Sequence, residues 1–307
     1  MGSEVVTVSC LSGCIPACHQ PSQESNQVTL YDRVAHETST IVIRRYSTSF
    51  GLASRLLGPA VRSHVEGIYA LVRVADEIVD GAASGLDAPS TGQRLDAFEH
   101  ETELAMQTGF SANLIVHAFA LTARETGFGR ELTAPFFESM RADLTMTVHD
   151  EQSFARYVHG SAEVVGLMCL RAFLHNEHVD DVPALETGAR ALGAAFQKVN
   201  FLRDLAADFD TLGRSYFPGV RVDALTEPDK LRLLDDIDVD LAVSAAALRQ
   251  LPRSSRRAVA LAHSLFAALS RRLRATPVAT LRTARVRVPS PVKARLALAA
   301  ASGRLPS

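Results

Sequence analysis

The amino-acid sequence predicts an all-α protein. Apolar residues recur at three- and four-residue spacing along most of the chain, and strand-like alternation is hardly seen. Clusters of glycine, proline and aspartate interrupt this periodicity, as turns between helices do. The 307 residues contain neither a repeat at a fixed period nor a long glycine- and serine-rich linker. We therefore expect one helical domain.

The predicted elements follow a polar N-terminal segment. Residues 1–29 are rich in Ser, Gln, Pro and Cys, and we expect them to form a poorly ordered extension before a folded domain of residues 30–307. Turn residues separate the helices, and the longest break runs from 210 to 235. Helical periodicity covers residues 30–45, 64–81, 111–127, 131–148, 151–175, 184–209, 236–250 and 254–275.

Composition limits the classes of protein to which the chain can belong. With 47% hydrophobic and 21% charged residues the chain is globular, and it has no apolar run of membrane-spanning length and no secretion signal. We therefore expect a cytoplasmic protein. Cys10, Cys14 and Cys18 match neither a paired zinc pattern nor a disulfide scaffold, and their role stays open.

Basic residues are concentrated at the C-terminal end. Residues 251–307 contain twelve Lys and Arg and no acidic residue, whereas the rest of the chain has 20 basic and 34 acidic residues. Such asymmetry favours an anionic partner: lipid head groups, a phosphorylated substrate or nucleic acid. Nucleic acid is disfavoured, because Phe266 is the only aromatic residue in this segment and base stacking needs more.

The first notable motif is "VRVADEIVDG", residues 72–81. Asp76 and Asp80 are four residues apart, and Arg73 precedes Asp76 by three, so the three side chains share one helix face. Taken alone, such a run is typical of a solvated face with ion pairs.

A second polar stripe lies in "AFQKVNFLRDLAADFDTLGRSYFPG", residues 195–219. It consists of Gln197, Asn200, Asp204 and Asp208. Amide and carboxylate oxygens without His or Cys suit Mg²⁺ rather than zinc. Two such helices facing each other could hold Mg²⁺ ions that share a diphosphate ligand, with arginines adding charge. Ionisation of an allylic diphosphate needs this arrangement, since charge develops on the leaving group.

Both motifs resemble the aspartate-rich signatures of the squalene and phytoene synthase family. The similarity extends through "RRYSTSFGLASRLL" at 44–57 and "YVHGSAEVVGLMCL" at 157–170, and it covers about residues 30–296, closest to bacterial phytoene synthases. The resemblance implies a single isoprenoid synthase domain around a central cavity. It also implies Mg²⁺, with Mn²⁺ as an alternative ion, and no NADPH.

The resemblance assigns roles by position. The implied metal ligands are Asp76, Asp80, Asn200, Asp204 and Asp208. The four aspartates and Tyr157 are the implied catalytic residues. The implied substrate-binding residues are Tyr46, Ser49, Phe50, Tyr69, Arg73, Gln197, Arg203, Tyr216, Arg285 and Lys293. The chain departs from the family pattern at Phe266, where many relatives have Tyr, and at Ala206-Ala207, where an acid is missing.

The implied reaction is the head-to-head condensation of two geranylgeranyl diphosphates, through prephytoene diphosphate, to phytoene with release of two diphosphates. The alternatives are a dehydrosqualene or squalene synthase that uses farnesyl diphosphate and, further away, a class I terpene cyclase. Small residues on two helices predict room for the longer chain, although close helix packing alone is the more frequent reason for such residues: Gly160, Ser161, Ala162, Gly166, Gly188, Ala189, Gly193 and Ala194. The expected partners are prenyl diphosphates and, through the basic C-terminal segment, an anionic membrane surface. Oligomeric state and the proton acceptor stay open.

Overall fold

The all-α prediction is confirmed. The computed structural model describes residues 28–80, 87–212 and 214–306, without the side chains of 206–212, and within these ranges it contains no β-strand. The extension with Cys10, Cys14 and Cys18 falls almost entirely outside the described residues. The chain folds into α1 (Leu30–Tyr46), α2 (Thr48–Ser54), α3 (Pro59–Asp80), α4 (Ala88–Thr108), α5 (Leu114–Thr126), α6 (Arg130–Thr145), α7 (Glu151–Val158), α8 (Val164–Leu174), α9 (Val182–Leu212), α10 (Glu227–Ala247), α11 (Arg253–Ala275), α12 (Val278–Leu281) and α13 (Ser290–Ala301).

Helix α4 does not appear in the helical periodicity of the sequence. Its buried residues repeat at intervals of four and three, but two of the five are threonines, so the apolar stripe is narrow and broken. The helix begins where the Asp87 side chain accepts a hydrogen bond from the Ser90 backbone N–H at 2.9 Å. It ends at Gly109, which adopts the left-handed conformation with φ +84°.

Helix α10 begins nine residues before its predicted start. A capping box sets this boundary: the Thr226 hydroxyl accepts from the Asp229 N–H, and the Asp229 carboxylate accepts from the Thr226 N–H. The predicted loop from 210 to 235 is correspondingly wrong at both ends, because α9 continues to Leu212 and α10 starts at Glu227.

Helix α8 packs against both helices that carry the motifs. Helix α3 packs against α1, α4, α5, α6 and α8, whereas α9 packs against α8, α10 and α11. Each motif helix therefore has its own core, centred on residues such as Phe119 and Phe136 around α3 and on Leu202 and Ile237 around α9.

Between α7 and α8 the chain forms one π-helical turn, His159–Glu163. Close packing explains the glycines here: a Cβ on Gly160 would collide with the Pro135 carbonyl oxygen and the Ser139 hydroxyl. Cβ atoms on Gly166, Gly188 and Gly193 would meet Ala189, Ala247 and Ala162 in the same way. The prediction that these glycines leave room for a substrate chain is therefore wrong, because a neighbouring helix fills the space beside each of them.

Candidate active site

The first stripe lies on the last two turns of α3. Arg73 Nη1 is 3.8 Å from Asp76 Oδ2, and Arg73 also pairs with Glu77 one turn on. The guanidinium lies 4.5 Å above the centre of the Tyr46 ring, a cation–π contact. Burial raises the pKa of Asp76 to about 7 against the opposing effect of Arg73, although 35% of the side chain stays accessible.

Asp80 ends α3 and contacts the segment that follows α9. Its Oδ1 accepts a hydrogen bond from Arg214 Nη1 at 2.7 Å. Arg214 is buried, and it also donates to the Asp143 carbonyl oxygen at 2.8 Å and to the Tyr216 hydroxyl at 3.2 Å. The C-terminal ends of the two motif helices are thus brought together by a buried arginine.

The second stripe is only partly described. Asp204 accepts hydrogen bonds from the neighbouring Arg203 and from Arg285 Nη2 at 3.1 Å, and Arg285 Nε lies 2.7 Å from Asp204 Oδ1 as an ion pair. Gln197 and Asn200 are half-buried on the preceding turns. The Asp208 side chain lies outside the described residues. Arg285 comes from the basic C-terminal segment, so that segment reaches the predicted site.

An aromatic group lies beside the first motif. Phe50 on α2 contacts Tyr69, Phe196 and Phe266, with ring centroids 5.6–6.1 Å apart. Phe196 and Phe266 stack at 3.9 Å. The Tyr69 side chain bonds to Ser47, and burial raises the pKa of its hydroxyl. This group joins α2, α3, α9 and α11 with an apolar surface.

A second aromatic group contains the other predicted tyrosines. Tyr216 stacks on Phe201 at 3.9 Å and lies 5.5 Å from the Tyr157 ring. The Tyr157 hydroxyl donates to both Asp143 carboxylate oxygens at 2.8 Å, and burial raises its pKa well above the usual value. His149 stacks beside Tyr216, and burial lowers the pKa of its imidazole.

The remaining predicted residues lie at the ends of α1, α2 and α13. Tyr46 is 53% exposed and contacts Arg73 as described above. Lys293 Nζ donates to the Thr48 hydroxyl at 3.2 Å, which joins α13 to the start of α2. Ser49 is half-buried beside it.

The donor set fits Mg²⁺. Asp76, Asp80 and Asp204 are all partly accessible, at 35%, 41% and 21% of their side chains, and each is paired with an arginine. Among the residues whose side chains the structure describes, no three acidic, histidine or cysteine groups form a ready-made ion site. Carboxylate and amide oxygens without His or Cys are ligands that Mg²⁺ takes, and Mg²⁺ is usually held by one or two carboxylates together with substrate phosphates.

Comparison with known proteins identifies the family of the chain. The family model for squalene/phytoene synthase matches residues 43–291. A 15-cis-phytoene synthase from a Paracoccus species is 30% identical over 77% of this chain and 81% of its own. The chain belongs to the squalene/phytoene synthase family.

Two further relatives are informative. A 4,4'-diapophytoene synthase from Staphylococcus haemolyticus is 26% identical over 65% of this chain and 66% of its own. The crystal structure of a dehydrosqualene synthase superposes with a TM-score of 0.73 at 19% identity, covering 89% of this chain and 97% of that one. The latter shows the shared isoprenoid synthase fold.

Arg214 and Asp143 lie in the candidate site, and the sequence motifs did not single them out. Arg214 stands within the quoted second motif, but it follows the four-residue stripe and carries no periodic signal. Asp143 lies in "MRADLTM" on α6, where one acid among 34 in the chain gives no spacing to recognise. Only the tertiary contacts of the two residues identify them.

Proposed function

We propose that the chain is a Mg²⁺-dependent prenyltransferase that condenses two geranylgeranyl diphosphates to phytoene. The observation that carries this proposal is the pairing of three motif aspartates with arginines from separate parts of the chain. Asp80 meets Arg214, Asp204 meets Arg285, and Asp76 meets Arg73. Each of these carboxylates thus lies beside a guanidinium group, and Arg73 and Arg285 are accessible enough to reach phosphate oxygens.

Two kinds of side chain would bind a diphosphate, metal ligands and arginines. The metal ions, held by Asp76, Asp80, Asn200, Asp204 and Asp208, would supply charge that stabilises the leaving group. Arg73 and Arg203 would orient the phosphate oxygens, since a guanidinium fork matches their geometry. Asp204 is 21% accessible and Arg285 52%, so both can be reached from solvent.

The aromatic groups supply the hydrocarbon end of the site. Phe50, Tyr69 and Phe266 would face an apolar chain, exclude water from a carbocation and stabilise its charge through their ring faces. Tyr157 carries its proton at neutral pH and would act as a hydrogen-bond donor.

Support for the longer substrate comes from the relatives. The 30% identical Paracoccus protein is a phytoene synthase and matches over more of the chain than the diapophytoene synthase does. The alternative is a dehydrosqualene or squalene synthase that uses farnesyl diphosphate. We propose that no NADPH is used, because phytoene forms by proton loss alone.

A product assay tests the substrate assignment. Purified protein with Mg²⁺ receives equal amounts of farnesyl and geranylgeranyl diphosphate, and mass spectrometry identifies the hydrocarbon. We expect phytoene as the main product. Dehydrosqualene or squalene would reject the phytoene assignment while leaving the family and the metal site standing.

We also propose that the protein works in the cytoplasm and associates reversibly with an anionic membrane surface. None of the described helices is long and apolar enough to span a bilayer. Exposed basic residues such as Arg287, Arg295 and Arg304 support surface attachment, where each is worth about 1 kcal/mol near anionic lipid.

A further inference from the structure

Arg214 is held in place by several acceptors. Only 6% of the residue is exposed, and its Nη1 donates to Asp80 Oδ1 at 2.7 Å and to the Tyr216 hydroxyl at 3.2 Å. Its Nη2 donates to the Asp143 backbone carbonyl at 2.8 Å. A planar guanidinium fixed by acceptors on both amino groups has one orientation, and so does the carboxylate oxygen that it binds.

Asp143 extends the contacts to the second aromatic group. Its side chain is 4% exposed, and Oδ1 lies 3.6 Å from Arg214 Nη1. Both carboxylate oxygens accept from the Tyr157 hydroxyl at 2.8 Å. One continuous chain of polar contacts therefore links α3, α6, α7 and the segment after α9. It runs through Asp80, Arg214, Asp143 and Tyr157.

We propose that Arg214 and Asp143 are a positioning pair that orients the Asp80 carboxylate for Mg²⁺ and diphosphate. Because Arg214 binds Oδ1, Oδ2 is the oxygen that Asp80 would offer to an ion. Asp143 holds Arg214 through its backbone and its charge. This inference rests on the proposed function, since it assigns Asp80 to the metal site.

Direct binding of diphosphate by Arg214 is the main rival. The burial of Arg214 and its bonds to Asp80, Tyr216 and Asp143 argue against it, because a ligand would have to displace them. Arg73 and Arg285, with 33% and 52% of their side chains accessible, are better placed for that role.

Isothermal titration calorimetry tests the proposal without turnover. Mg²⁺ is titrated into protein saturated with inorganic diphosphate, for the wild type, Arg214→Gln, Asp143→Asn and the double variant. We expect each single variant to raise the Mg²⁺ Kd by about 10- to 100-fold, as losing a group that orients a metal ligand does. The double variant should be no worse than the worse single, because the two residues act in series.

Arg221 and Asp223 provide matched controls. They form an exposed ion pair in the same connection between α9 and α10, with Nη2 and Oδ2 2.6 Å apart. Arg221→Gln and Asp223→Asn should leave the Mg²⁺ affinity unchanged. Diphosphate binding without metal should also be unchanged in Arg214→Gln.

Four results would overturn the positioning pair: an unchanged Mg²⁺ affinity in Arg214→Gln, an unchanged affinity in Asp143→Asn, additive losses in the double variant, or weaker metal-free diphosphate binding in Arg214→Gln. If Arg214→Gln does not fold, because Asp143 is left buried without its partner charge, Arg214→Lys and the double variant carry the test. Arg214→Lys should fold, because it keeps the positive charge beside Asp143. Its Mg²⁺ affinity should stay low, because lysine lacks the planar guanidinium that fixes Asp80. A wild-type protein that binds no Mg²⁺ with diphosphate refutes the proposed function itself, a result distinct from unaffected variants.

Discussion

At the scale of single residues, the motif aspartates differ from surface acids in their surroundings. Burial raises the pKa of Asp76 to about 7, with smaller contributions from Asp80 and Asp143 and against the opposing effect of Arg73. Asp96 also pairs with an arginine, Arg141, but 61% of its side chain is exposed. The two aspartates should therefore respond differently to the same substitution.

Replacing Asp76 or Asp204 with Asn should lower the rate of diphosphate release by about a hundredfold or more. The metal ions that would stabilise charge on the leaving group would each lose a protein ligand. Release of diphosphate from a prenyl substrate, with circular dichroism as a folding check, measures this. Asp96→Asn is the control, and it should keep full activity with stability within about 0.5 kcal/mol of wild type. Full turnover by an Asp76→Asn, Asp204→Asn double variant would refute the metal site.

The raised pKa of Asp76 also predicts a gain in stability on its removal. Since burial raises the folded-state pKa from 3.8 to about 7, the folded protein binds this proton more tightly than the unfolded chain does. The contribution of the Asp76 carboxyl to the free energy of unfolding is therefore most favourable at low pH, and it is lost as the pH rises through 7. Asp76→Asn should therefore have a higher free energy of unfolding than wild type at pH 8, with a smaller difference at pH 5.

Urea unfolding at the two pH values measures this difference. Arg73 keeps Glu77 as a partner in the variant, so no cation is left without an acid. Asp96→Asn should show no such pH-dependent gain. A variant less stable than wild type at pH 8 would contradict the raised pKa.

At the scale of helices, the spacing of apolar residues predicts the long helices, but it does not predict elements and residue pairs that depend on tertiary contacts. The long helices α3 and α9 follow from regular apolar spacing, and the two aspartate stripes follow from the 3.6-residue period. The narrow, threonine-containing stripe of α4 and the seven-residue α2 do not produce such a signal. Arg214 and Asp143 could not be paired from sequence, because 71 residues separate them.

The π turn between α7 and α8 is the element most sensitive to added volume. Gly160→Ala should destabilise the protein by about 1–3 kcal/mol, because the Cβ meets the Pro135 backbone and the turn cannot move away cheaply. Gly92→Ala in α4 is the matched control: its Cβ would lie 3.8 Å from Leu144 Cδ1, an ordinary contact. That variant should gain roughly 0.5–1 kcal/mol. Equal effects of the two substitutions on urea midpoints would contradict this packing.

At the scale of the whole molecule, the basic C-terminal end has more than one role. Arg274 pairs with Asp235 and Asp238 on α10, and Arg285 with Asp204 in the candidate site. These internal pairs reduce the charge available to outside partners. The C-terminal excess of charge predicted from sequence is therefore shared between folding, the site and the surface.

The remaining exposed basic residues should bind anionic vesicles. Co-sedimentation with anionic liposomes should be strong at low salt and lost at high salt, because exposed charges are screened. Charge reversal of Arg295 and Arg304 together should weaken vesicle binding, whereas Arg130→Glu, at an exposed arginine of α6 outside the basic C-terminal segment, should have little effect. Binding that is absent at low salt, or equal on uncharged vesicles, would exclude this role.

The most direct test of head-to-head condensation is the ratio of diphosphate to hydrocarbon. Purified protein is incubated with geranylgeranyl diphosphate and Mg²⁺, and both products are quantified, with a chelator-treated sample as control. We expect two diphosphates for each hydrocarbon, the hydrocarbon to contain two prenyl chains, and both products to disappear with the metal. One diphosphate per single-chain hydrocarbon would indicate a cyclase, and undiminished turnover after chelation would contradict the metal site.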